Sequence, residues 1–351
     1  MKSISYKLLV PVIGLILLSF TSCDSGGSND PILPPDYVDP NDETNNGGGE
    51  TGSTTYNYII PQVNSSGRII VDGQPPQYTD TAKYHVVSVA YNIATSSKFD
   101  LAPYYANAVG KKGQELRDAI AAIITANHNE LTYTPGVWDL TKEADEDPLD
   151  NTKVWLSYEE MTNLKSNQQS SGSSNGKWNR EHIWARSRGI GDTSDKGPAT
   201  DGHNLRAEDA GVNTEKSNRD FEEKADDAEF FGPHGSHSYV PKKSARGDVS
   251  RTLMYMAVRW NKDYSLVLDN KAYDSGNANT SSAPARQGKL SDLIEWHSKD
   301  PVDPYEVRRN NVVFKFQKNR NPFVDHPELV DYIFGDKQDK TWDGGFVYSA
   351  N

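Results

Sequence analysis

The chain has 351 residues and a formal net charge of −12, long enough for one large or two small domains with a sizeable core. An acidic balance excludes nucleic-acid binding through bulk charge, which relies on clustered Lys and Arg, so any such site must be locally basic. One cysteine excludes intramolecular disulfides and thiolate metal sites.

In chain order, Lys2 and Lys7 precede a mostly apolar run, Leu8 to Phe20, that ends in Thr21, Ser22 and Cys23. Thirteen residues are too few to cross a hydrocarbon core that needs about 20, so residues 1–22 read as an export signal. Phe20-Thr21-Ser22-Cys23 resembles a bacterial lipobox, although Phe20 departs from the usual pattern, and acylation is the use left for the lone Cys23. Residues 23–56 hold seven acids, no bases, and many Gly, Pro, Ser and Asn, as expected of a disordered tether. Taking away Lys2 and Lys7 moves the charge from −12 to −14, and setting aside the seven tether acids leaves −7. The expected product is a lipoprotein, exported and held at the cell envelope by an N-terminal lipid anchor.

Residues 57–100 carry short apolar runs, Tyr58-Ile59-Ile60, Ile69-Ile70-Val71 and His85 to Val89, that predict a small β-rich extension. Leu116, Ile120, Ile123 and Ile124 then mark one face of a helix from about Lys112 to Ala126. Asp145-Glu146-Asp147 lacks the spacing of a calcium loop and reads as a solvated turn. Val154, Leu156 and Tyr158 alternate as in a half-buried strand, and Ser166 to Gly176 reads as a surface loop. Asp209 is placed to cap a helix from Ala210 to about Lys224. Further helices are predicted over Arg251–Trp260, Leu290–His297 and Glu328–Phe334, with few strands after Val154. The fold class expected is α+β, mainly helical.

The chemistry concentrates after Gly176. Lys177, Arg180, Arg186 and Arg188 lie within twelve positions with only Glu181 opposing them, and this stretch holds Trp178-Asn179-Arg180-Glu181-His182-Ile183-Trp184. Neighbouring side chains on a strand point to opposite faces, so Glu181 beside His182 is weak evidence alone. Asn213 and Asn218 are poor helix formers within a predicted helix, which suggests a use other than propensity. The hard oxygens of Glu181 and Asn213 suit Mg²⁺, with Mn²⁺ or Ca²⁺ as alternatives, one ion per site. His182, titrating near neutrality, is placed to take a proton from water. Arg186, Arg188, Arg219 or Lys196 is within sequence reach to clamp a phosphate.

Together, Asn179 to Trp184, Asp201-Gly202-His203-Asn204-Leu205 and Val212-Asn213 through Ser217-Asn218 closely resemble the bacterial endonuclease I family. These are secreted or periplasmic nucleases with a ββα-metal (His-Me finger) site. The resemblance spans about Leu101 to Phe334 and includes Tyr104-Tyr105, Gly113 to Leu116, Val137-Trp138-Asp139, Arg246-Gly247-Asp248 and Asn319 to Asp325. It implies a nuclease domain over 101–351, with His182 activating water and Glu181 and Asn213 binding the ion on a hairpin and a crossing helix. It further implies that a nearby arginine, Arg186 or Arg188, holds the phosphate.

The implied reaction is hydrolysis of DNA, and RNA as well, to 5′-phosphate products with little sequence preference, by a chain expected to be monomeric. Two other classes stay open: a non-catalytic surface lipoprotein that binds nucleic acid or glycan, and a phosphodiesterase for small substrates.

Overall fold

A computed structural model describes residues 101–345, apart from 148–149, 160, 173–175, 195, 225–226, 228 and 272–284. The expected signal peptide, Cys23, the tether and the β-rich extension over 57–100 lie outside the described residues.

Helices α1 (Leu101–Tyr105), α2 (Gly113–Thr125) and α3 (Trp138–Ala144) lead into a sheet of β1 (Glu146–Asp147), β2 (Asp150–Leu156) and β3 (Met161–Leu164). An antiparallel pair follows, β4 (Trp178–His182) with β5 (Leu205–Asp209), and α4 (Ala210–Lys216) continues directly from β5. Three short strands, β6 (Asp220–Phe221), β7 (Gly232–His234) and β8 (Ser238–Val240), form a mixed sheet in the order β6-β8-β7. Then come α5 (Arg246–Arg259), α6 (Asn261–Tyr264), the parallel pair β9 (Leu266–Asp269) and β10 (Ala285–Lys289), α7 (Leu290–Lys299), α8 (Pro304–Gln317), α9 (Pro322–Asp325) and α10 (Leu329–Ile333). Helix and sheet are mixed, with helix the larger share, as the α+β expectation requires.

The main core is built around α5. All its residues except Asp248 are buried, and it packs against α2, α7, α9 and β9. Its amphipathic pattern is weak because polar residues are buried along with apolar ones, Arg246 paired with Glu223 and Arg251 with Glu306. A second, smaller core of Trp138, Val154, Leu156, Trp178 and Ala207 lies under the β4–β5 pair. Trp138 and Trp178 meet there edge to face, with centroids 5.3 Å apart at 78°. That geometry adds about 0.5–1.5 kcal/mol to the gain from area burial.

Several expectations need correction. The helix after Asp209 ends at Lys216, not near Lys224, because Ser217 turns the chain with φ of 52°. Asp220 and Phe221 then join a sheet against Ser238 and Tyr239. The Asp209 cap is present, its carboxylate accepting from Gly211 N at 2.7 Å and Val212 N at 3.2 Å. Strands are many but short after Val154, and the expected alternation is absent: Val154, Trp155, Leu156, Ser157 and Tyr158 are all buried, whereas Asn151 and Thr152 at the start of β2 are exposed. Asp145 is buried and paired with Arg309 at 2.7 Å, so that acidic run is not a solvated turn.

Helix α8 has no clear apolar stripe because its inner face is polar. Arg309, Asn310 and Gln317 are buried and bonded to Asp145, Asp325 and Asp201. Its start is conventional, with Asp303 accepting from Glu306 N at 2.8 Å and Pro304 at the first helical position.

Candidate active site

The pairing of β4 with β5 decides which side chains meet. Asn179 lies opposite Glu208, Glu181 opposite Arg206 and His182 opposite Leu205. Side chains alternate along a strand, so Asn179 and Glu181 share one face while Arg180 and His182 share the other. The contacts agree. Glu181 reaches Tyr158 and Lys216, whereas His182 reaches Ala199 and Tyr133.

His182 ends β4 and is almost wholly buried. Its Nε2 lies 2.9 Å from the Ala199 carbonyl oxygen. A carbonyl only accepts, so Nε2 carries the hydrogen and the Nδ1 lone pair is left to receive a proton. Burial pushes the imidazole down to about 3, with the positive charges of Arg186, Arg180 and Lys216 acting the same way against the Ala199 carbonyl. This corrects the expectation of titration near neutrality: the ring is a neutral base across the physiological range.

Glu181 is buried on the opposite face. Oε1 accepts from the Tyr158 hydroxyl at 2.7 Å and faces Lys216 Nζ at 3.2 Å. Burial raises its pKa, opposed first by Lys216. Lys216 is fully buried, donates to Ile183 O at 3.3 Å and sits 4.8 Å over the Phe221 ring. Its charge depresses His182 as well, so the environments of the two faces overlap at the end of β4.

Asn213, in α4, donates through Nδ2 to Asn179 Oδ1 at 2.7 Å and to the Arg180 carbonyl at 3.4 Å. That places it on the Asn179–Glu181 face of the hairpin. Among the described residues, no three or more His, Cys, Asp or Glu side chains form a metal-binding group. The oxygen donors on this face are the carboxylates of Glu181 and Glu208, the latter taken up by Tyr158 N, Asp209 N and Ser157 Oγ, and the amides of Asn179 and Asn213. They are hard and few, which fits an oxygen-seeking divalent ion that keeps most of its waters and fits softer metals poorly. Glu181 fits in a further respect, since burial disfavours its anion and a bound cation would stabilise it.

Sequence reading missed Glu208. It is buried, accepts from Tyr158 N at 2.6 Å, Asp209 N at 2.8 Å and Ser157 Oγ at 3.0 Å, and burial raises it to about 8. Reading Leu205–Asp209 as the partner strand of β4 would have placed it opposite Asn179.

The two arginines named as phosphate ligands have different surroundings. Arg186 is exposed, and its charge reaches His182. Arg188 is completely buried, with Nε donating to Asn218 O at 2.8 Å and an Nη group 3.3 Å from Asp220. Lys196 is exposed, and Arg219 is half-buried and donates to the Glu215 carbonyl.

The block from Asp201 to Leu205 is scaffold. Asp201 accepts from Tyr255 and Trp260 at 2.8 and 2.9 Å. Asn204 accepts from Trp184 N at 2.7 Å and donates to Trp184 O at 3.2 Å, which ties the end of β4 to the start of β5. A Cβ at Gly202 would meet the Leu140 side chain at 2.5 Å and Gln317 Oε1 at 3.0 Å, so any side chain there would have to displace them.

A family model described as Endonuclease I matches residues 112–328. The extracellular ribonuclease of Bacillus subtilis (strain 168) is 42% identical over 243 residues, covering 67% of this chain and 79% of the relative. The extracellular ribonuclease of Bacillus amyloliquefaciens matches to the same extent.

Proposed function

The chain belongs to the endonuclease I family and is a nuclease, a hydrolase of phosphodiester bonds. From that premise we propose an endonuclease in which Glu181 and Asn213 hold one divalent ion and His182 takes the proton of the attacking water. The observation that carries this reading is the contact from His182 Nε2 to the Ala199 carbonyl, 2.9 Å, which fixes the tautomer with Nδ1 as the basic atom.

The order β4, β5, α4 supports reading this region as a ββα-metal unit. Glu181 and His182 close the first strand, and Asn213 lies on the helix that packs on both strands. Mg²⁺ suits these donors best, with Mn²⁺ and Ca²⁺ as the ions to compare. When bound, the ion supplies positive charge to the phosphoryl and departing oxygens.

Water attacks phosphorus as its proton passes to His182 Nδ1. The bond from phosphorus to the 3′ oxygen breaks, the departing oxygen takes a proton from solvent water, His182 returns its proton to solvent, and the products are a 5′-phosphate and a 3′-hydroxyl. Arg186 is the residue we assign to the phosphate, rather than Arg188, because its guanidinium is exposed and its field already reaches His182. The arriving anion offsets the positive charges that depress the imidazole, so substrate raises the basicity of His182.

Contacts to phosphate and metal carry no base information, which favours weak sequence preference. DNA and RNA are both proposed substrates, and the name ribonuclease borne by the relatives favours RNA among them. Their description as extracellular favours export, and we retain a lipid anchor at Cys23 and a monomer as parts of the proposal. Digestion of supercoiled plasmid and of single-stranded RNA by the protein, in Mg²⁺ and in EDTA, tests the reading. Metal-dependent fragmentation of either polymer supports it. Intact polymers under every divalent ion would leave a binding protein.

A further inference from the structure

Trp138, Arg180, Tyr133 and His182 form a run of contacting planar groups beside the proposed base. The Arg180 guanidinium lies 4.0 Å over the Trp138 ring and 3.4 Å over the Tyr133 ring. It donates to the Tyr133 carbonyl and, at 3.3 Å, to the Thr134 hydroxyl. The Tyr133 ring is inclined 21° to the His182 imidazole, with centroids 5.9 Å apart.

The Ala199 carbonyl constrains one ring nitrogen of His182. A single hydrogen bond at Nε2 tolerates tens of degrees of bending, and χ2 of histidine is a broad torsion, so rocking of the ring about Cβ–Cγ is inexpensive and changes the plane in which Nδ1 meets an incoming water. A second, non-collinear contact fixes that plane. The near-parallel Tyr133 ring is such a contact, and Tyr133 is itself held at two points by Arg180, through its ring and through its carbonyl. Arg180 is anchored in turn on buried Trp138.

We propose that Tyr133 is a positioning residue for the nuclease reaction: its ring sets the plane of the His182 imidazole so that Nδ1 points at the attacking water. This rests on the assignment of His182 as the base. The argument needs the ring and not the hydroxyl, so phenylalanine serves as well as tyrosine, whereas leucine fills the space without a plane.

The test is steady-state cleavage of a fluorogenic single-stranded oligonucleotide in Mg²⁺ by wild type, Tyr133→Phe and Tyr133→Leu, with imidazole ¹⁵N NMR of the three metal-free proteins. The expected result for Tyr133→Leu is a kcat lower by roughly ten- to a hundredfold, the scale of an ångström-sized misplacement, with KM unchanged. Its His182 resonances should be exchange-broadened while the Nε2–H tautomer persists. Tyr133→Phe should match wild type in both readouts. Equal kcat for Tyr133→Leu and wild type overturns the proposal. A loss confined to KM also overturns it, because Tyr133 would then be a surface on which substrate stacks. An inactive wild type would instead defeat the nuclease mechanism, and the NMR comparison would still report whether Tyr133 orders the imidazole.

Discussion

Lys216 Nζ lies 3.2 Å from Oε1 of Glu181, and both side chains are excluded from solvent. The proposed metal ligand therefore already has a cation beside it. Removing one member of a buried pair strands the other, at about 3–5 kcal/mol. Lys216→Met should lower stability on that scale, and added Mg²⁺ should restore more of it in the variant than in wild type. Thermal denaturation with and without Mg²⁺ checks this, and equal ion-induced shifts would detach Glu181 from the metal.

Arg186 and Arg188 should separate cleanly. Arg186→Ala should reduce cleavage by at least tenfold with little change in melting temperature, since an exposed side chain is lost. Arg188→Ala should cost on the order of 3 kcal/mol, because Asp220 is left buried beside a vacated partner. Denaturant unfolding and cleavage assays on both variants decide the matter, and the reverse pattern would move the phosphate to Arg188.

Asn213→Ala should raise the Mg²⁺ concentration needed for half-maximal cleavage while leaving the maximum rate at saturating ion closer to wild type. The reason is that α4 keeps its Asp209 cap without the amide. A metal titration of the cleavage rate reads this directly, and an unmoved curve removes Asn213 as a ligand.

His203 provides a pH prediction away from the catalytic chemistry. Burial, with Arg309 and His128, lowers its pKa to about 3 against the Asp201 charge. The unfolded chain takes up that proton below about pH 6.5 and the native state does not, so stability falls as pH drops from about 6.5 toward 3. The slope from this group is at most about 1.4 kcal/mol per pH unit. His203→Gln should flatten the acid limb of stability against pH, as measured by urea unfolding between pH 7 and 4.

Much of the site was legible because it is local in sequence. Glu181 and His182 are adjacent, Asn213 follows one hairpin later, and the Asp209 cap is a short-range signal. Burial was less legible. Arg186 and Arg188 differ by two positions and look alike in the chain, and only the fold puts Asp220 beside one of them. Helix α8 was missed because its inner face is Arg309, Asn310 and Gln317, which hide the apolar period that marks a helix. Strand β4 was obscured for a related reason: Arg180, Glu181 and His182 are all buried, so polarity does not alternate along it. Tyr133 lies 49 positions before His182, and no spacing rule connects them.

The most direct measurement is cleavage of plasmid DNA and single-stranded RNA in Mg²⁺ by wild type and His182→Ala, with circular dichroism confirming equal folding. The account predicts that the variant loses at least a hundredfold in rate while remaining folded, its melting temperature lowered by the loss of a buried, hydrogen-bonded ring. A folded His182→Ala protein that cleaves at the wild-type rate would contradict it.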